Sequence, residues 1–494
     1  MAKSNFNLNL SLNKEALPRS IEHARARGVI LPTYAQMRDY TLIPQKIRDK
    51  LVNIGLWDVD PLNLFRISWH NQPLEQGGGF GGVNFVEFPP QLTGVPARIV
   101  ALAGKWFPTG CHKVGASYSC LITRLVTGQF DPTFHKAAWP STGNYCRGGA
   151  YNSALLGCHS IAILPEGMSQ ERFEWLQGIA GEIIRTPGTE SNVKEIFDKV
   201  HELRASYPDV MIFDQFQELA NSLWHYQVTG PALAEAFESV RGERGRLSGV
   251  CLTSGSAGTL SSGDYIKDNY PLAKLAACEA LQCSTLLNNG FGEHRIEGIG
   301  DKHVPLIHNV KNSDLVIDID DEYSLNLLRL FNEPEGIQYL SGQLGLDGEY
   351  VQKLSWLGIS GIANVLSAIK FAKYYELNGD DVVLTVLTDS AVMYGSRLTE
   401  LTKERGEYSL TRAACDHERF LLGLSTDNME ELTYMTRKRI HNLKYYTWVE
   451  QQGKTAEELN AQWYEYDDYW RGMQEQVTQV DELIKDFNDR VGLV

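Results

Sequence analysis

Four short stretches of this 494-residue chain hold residue types able to do chemistry. In the first, Phe107-Pro108-Thr109-Gly110-Cys111-His112-Lys113, the lysine opens an apolar run that reads as a helix. A cation in a first turn opposes the helix dipole, and burial there lowers the amine pKa towards what a carbonyl-attacking nucleophile needs. Lys113 is thus either a solvated surface charge or a Schiff-base lysine. The second stretch, Ser254-Gly255-Ser256-Ala257-Gly258-Thr259-Leu260-Ser261-Ser262-Gly263, lies between an apolar strand and a helix. Small residues let backbone N–H groups close on an anion, so it is either a phosphate cradle or a tight turn; it is neither a Walker loop nor GxGxxG. The third, Pro140-Ser141-Thr142-Gly143-Asn144-Tyr145-Cys146-Arg147-Gly148-Gly149, offers hydroxyls and an amide before a helix. Those groups suit a carboxylate or a phenolate-like oxygen, with Asn144 alternatively a helix cap. The fourth, Thr388-Asp389-Ser390, follows the strand-like Asp381-Val-Val-Leu-Thr-Val-Leu387.

The elements that must position these loops are legible in the pattern. Short Val/Ile/Leu-rich runs from His159, Glu182, Asp209, Leu247, Asp314 and Asp381 are bounded by Gly, Pro, Asp or Ser and separated by helical stretches such as those from Ser191 and Ile359. Alternation of this kind predicts βαβ units around parallel sheets, an α/β fold whose ligands sit at the carboxyl ends of strands. The first seventy or so residues have no clear period and read as an extension wrapped on something else. From about Leu401 the chain turns rich in Glu, Lys, Gln, Tyr and Trp and reads as a helical appendix.

Composition narrows the partners. Asp and Glu number 61 against 46 Lys plus Arg, a formal net charge of −15 that disfavours nucleic acid or an anionic membrane as the main partner. Ordinary shares of hydrophobic (43%) and charged (22%) residues predict a globular chain, and no apolar stretch is long enough for a membrane helix. The start has no apolar run after its basic residue, so no secretory signal is expected and the protein is placed in the cytoplasm. Eight cysteines without CxxC pairs or zinc spacing read mainly as buried thiols; no metal site is expected.

These stretches, in their order, resemble the fold-type II pyridoxal-phosphate enzymes, particularly the cysteine synthase and cystathionine β-synthase branch of the tryptophan synthase β superfamily. PTGCHK is similar to that family's PTGSxK, and STGN to its substrate loop TSGN. The segment LPEGMSQERFEWLQGIAGEIIRTPG resembles PExMSxERxxxLxxxGAExxxTPG, and GSAGTLSS takes the place of GTGGTxxG. HRIEGIGDKHVP, GISGIAN and LTDSAVMY resemble HxIxGIGAGFxP, GISSGAN and LPDSxxxY, and Phe213 through Pro231 resembles NQFxNxxNxxxHxxTTGPE. The resemblance covers roughly residues 85–400. It implies two three-layer αβα domains, 85–230 with the lysine and substrate loop and 231–400 with the phosphate loop, between extensions at 1–84 and 401–494. It also implies pyridoxal 5'-phosphate held by Lys113 as a Schiff base, and a homodimer. Asn144 would bond the ring oxygen and Gly255, Ser256, Ala257, Gly258 and Thr259 the phosphate, with Ser390 facing the pyridine nitrogen. Ser141, Thr142, Gly143, Tyr145 and Gln215 would contact a small amino-acid substrate.

A neutral serine at the ring nitrogen makes the ring a weaker electron sink, which favours loss or replacement of a group at Cβ over transamination. The implied activity is therefore elimination or replacement at Cβ of serine, O-activated serine or cysteine through an aminoacrylate, as in a cysteine synthase, a cysteine desulfhydrase or a C–S lyase. A threonine or serine dehydratase-type ammonia-lyase is the nearest alternative, and a non-catalytic pyridoxal-phosphate-binding regulatory scaffold an alternative of another class. Several residues depart from the branch. Val114-Gly115-Ala116 is nearer the threonine dehydratase and threonine synthase branches, and His112 is similar to the tryptophan synthase β branch. Tyr145 either packs outward or narrows the pocket. Asp301, Lys302 and His303 stand where the family has small and apolar residues, and either select a polar substrate or form a solvated loop. An insertion near 338–357 and both extensions carry no assigned role.

Overall fold

A computed structural model describes residues 6–73 and 78–493, so the expected N-terminal extension is seen apart from residues 1–5 and 74–77. Eleven strands are described: β1 (Phe85–Phe88), β2 (Arg98–Ala103), β3 (Lys136–Pro140), β4 (Ser160–Pro165), β5 (Glu182–Thr186), β6 (Val210–Ile212), β7 (Arg246–Thr253), β8 (Lys274–Ala280), β9 (Leu315–Ile319), β10 (Asp381–Leu387) and β11 (Met429–Glu431). They form a seven-stranded sheet, β1-β2-β10-β7-β8-β9-β11, and a four-stranded sheet, β5-β4-β3-β6. The small sheet is wholly parallel; in the large one only the edge strands β1 and β11 run antiparallel to their neighbours. Inner strands such as β4 and β10 are buried along their whole length, which is why they read as continuous apolar runs without alternation.

The six expected strand runs all form. The sheets nevertheless divide the chain differently from the expected boundaries, because β1 and β2 pair with β10 in the larger sheet. Residues 85–103 therefore belong with the phosphate-loop half. A strand can join either of two sheets, and only long-range pairing chooses. Nor is the segment after 401 wholly helical: β11 pairs with β9 through Met429 and Ile317.

Both extensions are built into the body. Asn488 on the last helix, Val477–Val491, accepts from the Leu31 N–H at 2.9 Å and donates to the Leu31 carbonyl at 2.8 Å. Asp481 accepts from the backbone of Tyr34 and Ala35 at 2.7 and 3.2 Å. The Tyr118 hydroxyl, on the buried helix Lys113–Leu125, donates to the Pro32 carbonyl at 2.8 Å. Leu17, Val29, Trp470, Ile484 and Phe487 share one hydrophobic cluster with Val100, Val114 and Trp139. Among the described residues no single helix is long and apolar enough to cross a membrane. No cysteine is paired; seven of them are buried, and Cys415 is exposed.

Candidate active site

The four chemically equipped loops fall at carboxyl ends of strands or at helix starts, as the βαβ pattern requires. Lys113 begins the helix Lys113–Leu125 and is buried, its amine donating to Gln215 Oε1 at 3.3 Å. Burial lowers its pKa, an effect partly offset by Cys111, Glu190 and Asp301. The resulting amine is easier to deprotonate, as a nucleophile should be. Just before it, Thr109 holds a left-handed backbone (φ 69°), and its carbonyl accepts from Arg147 Nη2 at 2.8 Å. That strain fixes the turn presenting the lysine.

The substrate loop leaves β3 and enters the helix Asn144–Leu156. Gly143 (φ 149°) is confined to glycine twice over: by its backbone, and because a Cβ would overlap the Arg172 guanidinium. Its N–H donates to Ser141 Oγ at 3.0 Å. Arg172 in turn donates to the Thr142 carbonyl at 2.9 Å, lies 3.0 Å from Glu297, and donates to the Tyr394 hydroxyl at 3.0 Å. Asp389 Oδ2 accepts from Asn144 Nδ2 at 2.7 Å and from Tyr394 at 2.8 Å. This buried cluster ties the small-sheet loops to the end of β10 and places Ser390, also buried, beside it. Asp389, Tyr394, Arg172 and Glu297 all stood inside recognised motifs, but their joint role depends on contacts across more than a hundred residues. Glu190, just after the TPG of the long motif, carried no signal of its own.

The loop after β7 has the shape of an anion cradle. Ala257 is left-handed (φ 65°), Ser256 Oγ accepts from Asn221 Nδ2 at 3.1 Å, and a Cβ on Gly258 would overlap Asn221 Oδ1. A Cβ on Gly255 would come within 2.7 Å of the Gly298 carbonyl. Asn221 Oδ1, Thr109 Oγ1 and Ser360 Oγ are buried without partners among the described residues. Backbone donors turned inward by a left-handed residue, ahead of the ten-residue helix Leu260–Asn269, suit a phosphate. Together with a buried low-pKa lysine, these residues fit a phosphate-bearing aldehyde.

Some proposed residues lie elsewhere. The Tyr145 ring is fully buried, edge-on to Trp139 with centroids 5.5 Å apart, so it packs in the core and not at the substrate loop's mouth. It faces away because the first turn of its helix turns toward β3 and its Trp139. His303 packs against Phe197, Phe216 and Trp448, and Lys302 lies over the Phe291 ring at 4.4 Å. Of that trio Asp301 is the one whose charge acts on Lys113.

A family model described as pyridoxal-phosphate dependent enzyme matches residues 108–342. A cysteine synthase of Staphylococcus aureus is 31% identical over 257 residues, covering 52% of this chain and 74% of that protein. A probable cysteine synthase of Bacillus subtilis is 28% identical over 288 residues, 58% of this chain and 85% of the relative. Among solved structures, an O-acetylserine dependent cystathionine beta-synthase from Helicobacter pylori superimposes with a TM-score of 0.53 at 25% identity, covering 64% of this chain and 95% of its own.

Proposed function

This chain belongs to the fold-type II pyridoxal-phosphate-dependent enzymes, in the branch of the cysteine synthases and cystathionine β-synthases, and on that footing we propose that it eliminates or replaces a group at Cβ of serine, an O-activated serine or cysteine. The observation that carries this reading is the buried Lys113 amine, lowered in pKa and donating to Gln215, whose carbonyl accepts from the same Asn221 amide that donates to Ser256 of the glycine cradle. When bound, the pyridoxal ring supplies the electron sink that makes the substrate's α proton removable. Lys113 would hold the cofactor covalently and, once displaced by the substrate amine, take the α proton at its Nζ. Gly255, Ser256, Ala257, Gly258 and Thr259 would hold the phosphate, Asn144 the ring oxygen, and Ser390 the ring nitrogen. Ser141, Thr142 and Gln215 would orient the substrate carboxylate. Burial of all of these residues but the half-buried Gly255 and Thr259 excludes water from the reacting carbons. The working unit in this reading is a homodimer.

Incubation of the holoenzyme with serine, O-acetylserine, cysteine and threonine, with sulfide, pyruvate, 2-oxobutyrate and ammonia measured, identifies the leaving group and separates this reading from an ammonia-lyase. Lys113→Ala should lose both the visible absorption of the lysine-bound cofactor and all turnover. Undiminished turnover in that variant would exclude Lys113 as the catalytic amine.

A further inference from the structure

Among the described residues, two carboxylates in this site each have one oxygen without a protein partner. Glu190 is 2% exposed and Asp301 7% exposed, and Glu190 Oε2 and Asp301 Oδ2 are both buried without a hydrogen bond. Burial, opposed by Arg172 and a hydrogen bond from Thr142, pushes Glu190 up to about 7. Burial and then the charge of Glu190 hold Asp301 well above the ordinary range, with Lys113 opposing. Both act on the Lys113 amine.

Glu190 also lines a cavity of about 160 Å³ between the two sheet systems, walled on one side by Gly167 and on the other by His294, Glu297, Leu325 and Arg397. The guanidinium groups in this wall, and Arg172 beside it, are matched. Arg172 and Arg397 share Glu297 at 3.0 and 2.6 Å, Arg397 also meets Glu400 at 2.7 Å, and Arg295 meets Glu322 and Glu404. Lys113, on whose amine both carboxylates act, is committed to the cofactor in the reading above.

An unpaired buried carboxylate is costly, and a pair of them more so, unless a ligand supplies donors. A cation bound beside them favours the ionised forms that burial opposes, which a neutral hydroxyl cannot do. We propose that Glu190 and Asp301 form a subsite for an ammonium group carried by a substrate of this enzyme. The inference rests on the catalytic reading for its location and adds to it the charge of the molecule processed. The ammonium belongs either to the side chain of the donor amino acid or to the second, accepting substrate.

Serine and 2,3-diaminopropionate differ at Cβ only in hydroxyl against ammonium, and 1,2-ethanediol and 1,2-diaminoethane form the matching pair for an acceptor. Initial binding of the first pair to the holoenzyme is read from the cofactor's visible absorption; binding of the second, with serine present, is read by calorimetry. A preference of at least about tenfold for the ammonium member in one pair is expected, and the pair that shows it identifies the source. Asp301→Asn and Glu190→Gln, both nearly isosteric, should each erase most of that preference while leaving the visible band in place. No preference in either pair, or one that survives both substitutions, overturns the proposal. Loss of the cofactor band or of serine binding in the unaltered enzyme would count against the catalytic reading, and the diamine titration would still decide the subsite.

Discussion

At the scale of single residues, burial sets the protonation states. His112 is 1% exposed, stacked on Trp69 at 5.5 Å and edge-on to His225 at 5.2 Å, and neither ring nitrogen has a partner. Burial, then the neighbouring Lys113, lowers its pKa to about 3. An unfolded histidine titrates near 6.5, so the unfolded chain takes up a proton that the folded chain refuses, and stability falls as pH drops from about 6.5 towards 3. At pH 5 this one ring should cost on the order of 2 kcal/mol relative to neutral pH. His112→Phe should remove that part of the slope, visible as a smaller loss of stability between pH 8 and pH 5 in urea titrations. An unchanged difference would mean that the ring is protonated in the fold. Lys113 itself was recognisable by type and by its place at a helix start; its lowered pKa was not, because desolvation comes from chain distant in sequence.

At the scale of elements, the C-terminal helices act on the loop that carries Asp301. Trp448 Nε1 donates to the Val304 carbonyl at 2.8 Å, and the Lys444 amine, fully buried, donates to the carbonyls of Leu306 and His308 at 2.9 and 2.6 Å and to Gln462 Oε1 at 2.8 Å. Gln462 Nε2 adds a bond to Leu306 at 3.0 Å, and the Tyr466 hydroxyl accepts from Asn309 at 2.9 Å. Residues 304–309 are thus held by the tail as well as by Phe216 and Asp264 of the body. Lys444→Met leaves Gln462 Oε1 unpaired and removes one donor from each of the Leu306 and His308 carbonyls, an expected loss of about 1–3 kcal/mol in chemical unfolding. The same variant should lower kcat/KM by loosening the loop while retaining the cofactor's absorption. A stable variant with unaltered kinetics would show that the tail does not act on the site. The helical periodicity of the tail was legible; its grip on the loop was not, since donors and acceptors are more than a hundred residues apart.

At the scale of the molecule, the enzyme body and its extensions share one hydrophobic core. The last helix pairs with residues 31–35, which brace the back of the lysine helix, and β11 covers the outer edge of β9. Deleting residues 429–494 would expose that edge and strip Trp470, Ile484 and Phe487 from the shared core. The shortened chain is expected to aggregate or to lack a cooperative melt by circular dichroism, and not to yield a compact enzyme. A soluble, active product of the deletion would show that the tail is dispensable for folding.

The amino-acid sequence alone determined the local and the repetitive: apolar runs bounded by turn formers at β4, β5, β7, β9 and β10, the helices that separate them, and the glycine loops whose order identified the cofactor. Such features depend on propensity and spacing within a few residues, so they survive in one dimension. Tertiary structure decided which sheet β1 and β2 would join, that the Tyr145 ring turns into the core, and that Glu190 and Asp301 act on the same lysine. Strand pairing, burial and charge interactions act between positions that the chain brings together only on folding, and a linear pattern has no coordinate in which to record them.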